Sequence, residues 1–586
     1  MALLASAVAG PAGTVSGTRI ARRAPVVCDG WPPSVQPLLQ RLYASRGATT
    51  LELARPRLAQ LLPPEGLLGM AQATALLAEA IAQDQHIVVV GDFDCDGATA
   101  CALAVRGLVL LGARHVSPAV PNRMVHGYGL SPALVEELDA LKPDLLVTVD
   151  HGIACHAGIA LAKAKGWKVL VTDHHLPGER LPVADAIVNP NQPGCGFPSK
   201  VLAGVGVMFY VLMALRRALR QAGGLPSPEP DLTTLLDLVA VGTVADLVPL
   251  DANNRALVSA GLRRLRAGQG CAGLNALIEV CGRQAARLTA SDIGFAIAPR
   301  LNAAGRLEDM ALGIACLLSD DPQAAREMAQ VLHGINAERR GVQQQMTDEA
   351  EAAIARLAAS EGQAPVAVCL FDADWHPGVV GLVASKMKDR LHRPVIAFAP
   401  AEPGSTQLRG SARSIPGFHI RDALAAVDAR HEGLIPRFGG HAMAAGLTLA
   451  LEDLPAFRDA FLAYTQQSLD QALLQHELLS DGELLGSEFD IQHAMALRDG
   501  GPWGQGYPEP LFDGCFDVLD WRVLSERHLK LVLRLEGQQA PINAIHFGGW
   551  RGDAPPSRLR LAFRLCPDDY RGGTAIQLIV EHHEAA

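Results

Sequence analysis

Acidic and histidine residues stand directly behind three short apolar runs in the first third of the chain. Asp92, Asp94 and Asp96 lie in GDFDCDG, after HIVVV at 86–90; Asp150 and His151 lie in TVDHGI, after LLVTV at 145–149; Asp173, His174 and His175 lie in TDHHLPG, after WKVLV at 167–171. Carboxylates crowded at one place repel one another unless a positive charge stands among them. A divalent cation supplies that charge, and carboxylate with imidazole suits Mn²⁺, Mg²⁺ or a similar hard-to-borderline ion. One Asp at a strand end is ordinarily a helix cap or turn former; three such ends together ask for another reason. GDFDCDG also has the look of a calcium loop, but the bidentate Glu that such a loop needs at its far end is missing. Asp246, in VGTVADLVP, is a fourth candidate that reads by itself as a turn acid.

These side chains converge only if the runs before them are neighbours in one sheet. Short, wholly apolar strands alternate with helical segments at 98–111 and 156–165, and a further short strand falls at 186–188. That alternation predicts an α/β domain with a parallel sheet covered on both faces, in which chemistry sits at the carboxyl ends of the strands. Residues 1–70 read as an irregular N-terminal extension with one or two short helices, and 71–318 as the catalytic domain. A long connecting helix is expected within 319–360, a smaller α/β domain at 361–455, and a small β-barrel within 470–586.

The bulk numbers leave these expectations standing. A chain of 586 residues, 49% hydrophobic and 19% charged, has room for several cores. Its net charge of −10 counts mildly against a nucleic-acid partner, yet residues 255–306 carry eight arginines against Glu279 and Asp292 alone, a strip that reads either as a phosphate-facing surface or as solvated helix. Residues 516–586 balance nine basic against nine acidic residues, and Trp521, Phe547, Trp550 and Tyr570 there read as base-stacking or as core. Eleven cysteines without a CxxC pair point away from zinc and disulfides and toward a reducing cytoplasmic setting. Neither a signal peptide nor a membrane span is expected.

A DxD after one strand, an Asp after the next and Asp-His-His after a third make the chain similar to the DHH phosphoesterase superfamily, and within it to the RecJ-like single-strand-specific DNA exonucleases. GDFDCDG, VPNRMVHGYGL, TVDHGI, TDHHLP, GTVADLVPL, PRLNAAGRLEDM, DWHPGVVGLVASKM, GSARSI and FGGHAMAAG carry the resemblance, in family order, over about residues 86–447. It implies two divalent cations held by Asp94, Asp96, Asp150, His174 and Asp246, with Asp92, Asp173 and His175 as ligands or as supports of ligands. Val90 stands where superfamily members acting on small substrates carry a His. The resemblance also implies a second, DHHA1 lobe and a C-terminal OB-like barrel. In that lobe Arg409, Ser411 and Arg413 offer phosphate donors, and Gly439, Gly440 and His441 are expected at a helix start, where free N–H groups favour an anion. Arg123 and Arg306 are candidates for gripping phosphate and Asn302 for orienting substrate, while Tyr128 either stacks on a base or packs.

The implied activity is cation-dependent 5′-to-3′ degradation of single-stranded DNA to 5′-mononucleotides, in repair and recombination, by a monomer working beside a single-strand-binding protein and a helicase. Arg306 or His441 would stabilise developing charge, and His151 or His175 would donate or relay a proton, a choice that spacing leaves open. The alternatives are a DHH phosphodiesterase of short oligonucleotides or cyclic dinucleotides, a non-catalytic single-strand-binding relative and, last, a pyrophosphatase.

Overall fold

A computed structural model describes residues 4–9, 18–122, 125–361, 365–550, 552–568 and 572–586, and the chain divides into two compact units. One comprises residues 22–336 and 480–586, the other residues 1–21 and 337–479.

The first unit is built on a five-stranded parallel sheet. Its spatial order is Val116–Ala119, Ile87–Val90, Leu145–Val149, Lys168–Thr172, Ala186–Val188. Successive side chains of a strand point to opposite faces, so each apolar run feeds two cores. Val88, Val90, Leu146, Val169 and Val171 pack with Leu134, Val135 and Ile159 on one face. Ile87, Val89, Leu145, Val147 and Leu170 join the larger core on the other. The second strand in sequence lies outside the first, and the third lies on the first one's other side. The strand order therefore reverses between Ile87–Val90 and Leu145–Val149, the switch point where doubly wound sheets open a crevice.

A closed five-stranded barrel ends this unit, from Phe512–Leu524, His528–Leu535, Ile542–His546, Arg558–Pro567 and Ile576–Ala585. Its core residues Phe512, Phe516, Leu531, Leu561 and Phe563 are continuous with the core of the catalytic sheet. Arg255, one of the strip of eight arginines, is spent inside the unit: buried, it lies 3.9 Å over the Tyr507 ring and donates to the Leu250 carbonyl.

The second unit carries a six-stranded mixed sheet, ordered Leu4–Ala9, Pro365–Phe371, Val395–Pro400, Gln407–Arg413, Ala444–Ala450, Arg437–Gly440. Two expectations are corrected here. The N-terminal extension is not irregular throughout, since Leu4–Ala9 pairs antiparallel with Pro365–Phe371, a pairing partner more than 350 residues away that no local pattern announces. Gly439-Gly440-His441 does not open a helix. Arg437–Gly440 and Ala444–Ala450 form a hairpin, closed by the His441 amide on the Ala444 carbonyl at 2.8 Å. The alternation in AAGLTLA, buried at Ala445, Leu447 and Leu449, fits strand and overrides the helix formers. The long helix runs Pro322–Glu361, and the two units divide within it.

Candidate metal centre and nucleic-acid surfaces

The loop after Ile87–Val90 is folded by its own carboxylates. Asp92 Oδ1 accepts from the Phe93 amide at 2.7 Å, and Asp94 caps the helix Cys95–Leu110 by accepting from the Gly97 amide at 3.0 Å. Asp96 accepts from the Gly204 and Val205 amides, at 2.6 and 3.0 Å, at the start of the helix Gly204–Ala222. A helix N-terminus favours negative charge, so this carboxylate is pinned while staying able to serve a cation. Asp150 sits at φ +66°, a conformation that costs a non-glycine residue free energy and that concentrates at functional sites.

Across the switch point these groups meet. His174 Nε2 lies 3.1 Å from Asp150 Oδ1 and 3.4 Å from Asp246 Oδ2. Donor atoms of Asp92, Asp94 and Asp150 lie within 4.8 Å of one another; so do those of Asp96, His174 and Asp246, and those of Asp150, His174 and His175. Burial, and then the charges of Asp96 and Asp94, push the Asp150 carboxyl well above the usual range. Burial and the same two neighbours do so for Asp246, and burial with Asp94 takes Asp96 up to about 7. Buried Asp150 Oδ1 has no aligned hydrogen-bond donor among the described residues. A site that raises three carboxyls and leaves a buried oxygen unsatisfied is short of positive charge, and the donor set fits divalent cations.

Two of the candidates stand apart from this cluster. His151 is fully buried, its Nε2 3.0 Å from the Val90 carbonyl, and burial lowers its pKa to about 4; it ties two strand ends together and is not gathered with the other groups. Asp173 accepts from the His174, His175 and Ile153 amides and from His175 Nδ1 at 2.9 Å. Burial alone would raise its carboxyl, but the hydrogen bond and charge of His175 outweigh that and hold it below the usual range. In return Asp173 overcomes the burial that would lower His175 and raises it to about 9. Asp173 thus orients and charges His175.

Asn302, expected to orient substrate, accepts from the Cys95 amide at 2.8 Å and so braces the DxD loop. Arg306 lies half-buried in the last turn of the helix Ala298–Leu307. Tyr128 is half-exposed, edge-on to Phe93 at 5.9 Å and to His175 at 6.4 Å. Arg123 and Tyr570 lie outside the described residues. Glycines were the group that spacing did not bring forward. A Cβ on Gly204 would stand 2.5 Å from Asp150 Cβ, one on Gly242 would stand 2.7 Å from Asp96 Oδ1, and one on Gly305 would stand 1.8 Å from the Phe93 carbonyl oxygen. GVGV at a helix start and AAGR at a helix end carry no signal of what packs against them until the fold is known.

In the second unit, Arg409, Ser411 and Arg413 share one face of the strand Gln407–Arg413, while Leu408, Gly410 and Ala412 face its core. Ser411 pairs with Gly446, which pairs with Gly439, so glycines leave that face open beside the hydroxyl. Arg413 donates to Ser411 Oγ at 2.9 Å and to Ser385 Oγ at 3.2 Å. Gly440 holds φ +140°, where a side chain would be strained, and His441 is exposed. On the barrel, exposed Trp521 stacks on Trp550 at 5.6 Å, and exposed Phe547 lies edge-on to His528 at 5.4 Å.

Comparison with known proteins matches three family models along the chain: DHH family, N-terminal domain, at residues 86–243; DHHA1 domain at 363–467; and RecJ OB domain at 480–582. The single-stranded-DNA-specific exonuclease RecJ of Dickeya dadantii is 48% identical over 568 residues, covering 96% of this chain and 98% of that one. The protein of the same name from Escherichia coli is 46% identical over 557 residues, with coverage of 94% and 96%. Among solved structures, RecJ from Thermus thermophilus in complex with Mn²⁺ superposes with a TM-score of 0.76 at 34% identity, over 94% of this chain and 76% of that one.

Proposed function

The chain belongs to the RecJ family of DHH phosphoesterases, and from that premise we propose that it is a cation-dependent exonuclease that degrades single-stranded DNA from the 5′ end to 5′-mononucleotides. The supporting observation is the meeting of His174 Nε2 with Asp150 and Asp246, at 3.1 and 3.4 Å, in the crevice that also gathers Asp92, Asp94 and Asp96. Two divalent cations, Mn²⁺ or Mg²⁺, held among Asp92, Asp94, Asp96, Asp150, His174 and Asp246, would supply a water of lowered pKa and neutralise charge on the scissile phosphate.

The chain's own groups do the rest. The Gly204 and Val205 amides and the Asp94 cap fix the carboxylates so that little reorganisation is needed during reaction. His175, held in place by Asp173 through its Nδ1 at 2.9 Å, is the proton donor or charge stabiliser we assign, in place of His151. Arg306 is assigned to the phosphate in the catalytic unit, and Arg409, Ser411, Arg413, Gly439, Gly440 and His441 to phosphate binding in the second unit. The barrel's Trp521 and Phe547 are assigned to stacking on unpaired bases. The setting we infer is cytoplasmic repair and recombination, by a monomer beside a single-strand-binding protein and a helicase; among the described residues no helix is long and apolar enough to cross a membrane.

The test is digestion of 5′- and 3′-labelled single and double strands with Mn²⁺, with Mg²⁺ or with chelator. Labelled mononucleotide should appear at once from the 5′ label, while the 3′ label passes through a shrinking ladder. Duplex should persist, and chelator should stop the reaction. Early mononucleotide from the 3′ label would overturn the polarity, and full activity in chelator would overturn the role of the cations.

A further inference from the structure

The two histidines behind the strand Lys168–Thr172 lie in neither helix nor strand, so their backbone groups must find partners elsewhere. Asp173 accepts from both amides, at 2.7 and 3.0 Å. Both carbonyls are met from the next strand end of the sheet. Asn189, fully buried directly after Ala186–Val188, donates through Nδ2 to the His175 carbonyl at 2.9 Å. Asn191, half-buried, donates through Nδ2 to the His174 carbonyl at 2.6 Å. Three side chains thus hold all four backbone polar groups of the pair.

The run VNPNQPG is fitted to this task. Asn189 closes a turn on itself, its Oδ1 accepting from the Asn191 amide at 2.7 Å. Its orientation is thereby fixed, because a flipped side-chain amide would set N–H against N–H and oxygen against the His175 carbonyl. Pro190 between the two asparagines has a ring-locked φ and no N–H to satisfy, and its carbonyl accepts from Lys200 Nζ at 2.6 Å. Gln192, buried in the same turn, faces other partners. Its Nε2 donates to the Leu68 and Ile187 carbonyls at 3.1 and 3.0 Å, and among the described residues no hydrogen bond joins it to the histidines.

We propose that Asn189 and Asn191 are positioning residues of the metal centre that act through the backbone of the DHH segment, Asn191 setting His174 and Asn189 setting His175. This rests on the cation reading above. An imidazole nitrogen is carried at the end of a side chain, so a turn of the peptide that is small at the carbonyl is larger at His174 Nε2, the atom that meets Asp150 and Asp246. Groups that orient ligands from behind are worth about ten- to a hundredfold in metal affinity or activity. The asparagines should therefore govern cation affinity and kcat and leave capture of the strand alone.

The test uses full-length Asn191→Ala, Asn191→Asp and Gln192→Ala beside the wild type, each freed of metal with chelator and dialysed. Mn²⁺ binding without DNA is followed by the electron paramagnetic resonance signal of the free ion. KM and kcat are measured on a 30-nucleotide single strand at saturating Mn²⁺, and melting in chelator shows which variants are folded at the assay temperature. Asn191→Ala should weaken Mn²⁺ binding roughly ten- to a hundredfold, lower kcat and leave KM for the strand as in the wild type. Asn191→Asp keeps the shape of the side chain and loses the donor, which keeps the proposal testable if the alanine variant melts early. As an added negative charge it would tighten Mn²⁺ binding; as a lost donor it should loosen it. Gln192→Ala loosens the same turn and should bind Mn²⁺ and cleave like the wild type even where it melts lower. Wild-type Mn²⁺ affinity in Asn191→Ala, tighter binding in Asn191→Asp, or an equal loss in Gln192→Ala would overturn the proposal and leave the turn a structural one. If the wild type itself binds no Mn²⁺, it is the cation reading that fails.

Discussion

Asp150 concentrates the physics of the site in one side chain: buried, at positive φ, beside other carboxylates and within 3.1 Å of His174. In the chelated protein its charge is repelled by Asp96 and Asp94, so losing it should relieve the fold while removing the chemistry. Asp150→Ala is expected to bind single strands like the wild type and to lose cleavage roughly a thousandfold or more, several kcal/mol of transition-state stabilisation. In chelator it should melt no lower than the wild type. Mn²⁺ should raise the melting temperature of the wild type, because an ion that binds only the folded state stabilises it by mass action, and should raise that of Asp150→Ala much less. Thermal melts with and without Mn²⁺ check both; undiminished cleavage would remove Asp150 from the centre.

The elements around the cluster are fitted to it closely enough that a methyl group should be felt. Gly305, near the end of Ala298–Leu307, approaches the Phe93 carbonyl so nearly that an added Cβ would stand at 1.8 Å. Gly305→Ala must push the helix off the DxD loop, costing about 1–3 kcal/mol of stability and on the order of a hundredfold in kcat through misplaced carboxylates; denaturant unfolding and single-turnover cleavage read the two effects. Elsewhere, Asp513 on the first barrel strand accepts from Ser480, Arg22 and Arg560 at 2.6, 2.7 and 3.0 Å. Burial would raise its carboxyl, but these donors hold it below the usual value. A depressed folded pKa gives stability that is complete above the unfolded value near 3.8 and is lost as pH falls through the folded value. Asp513→Asn should therefore cost about 2 kcal/mol at pH 7 and show a shallower loss of stability below about pH 4 than the wild type. Parallel acid titrations of the two proteins would expose an error of sign.

At the scale of the molecule, the sheet that carries the candidate metal centre and the barrel share one unit and one core, so the acidic crevice and the barrel's exposed rings belong to a single folded body. Trp521, exposed and stacked on Trp550, offers a flat face for an unpaired base. Trp521→Ala with Phe547→Ala should weaken binding of a long strand by about 1–3 kcal/mol for each base stack lost and leave hydrolysis of a dinucleotide unchanged. Equal affinities of the double variant and the wild type in an anisotropy titration would make these rings ordinary surface.

Much of this could be read from residue order. Apolar runs of four or five residues, each closed by an acid, marked the parallel strands and placed Asp92, Asp94, Asp96, Asp150 and His174 at their carboxyl ends, because strand period and burial are local properties of a sequence. The long helix at Pro322–Glu361 and the terminal barrel were legible for the same reason. Which neighbour each group meets is not local. His151 and His174 both lie in Asp-His pairs behind strands, yet one turns under Val90 and the other onto Asp150 and Asp246. Asn302 reaches the Cys95 amide across 207 residues of chain, and Gly439-Gly440 became a hairpin because Ala444–Ala450 was there to pair with it. Sequence determined the kinds of atoms brought to the crevice. Only the packing of distant segments, where sterics and burial select one arrangement, decided which of those atoms meet in the crevice and which brace the loop.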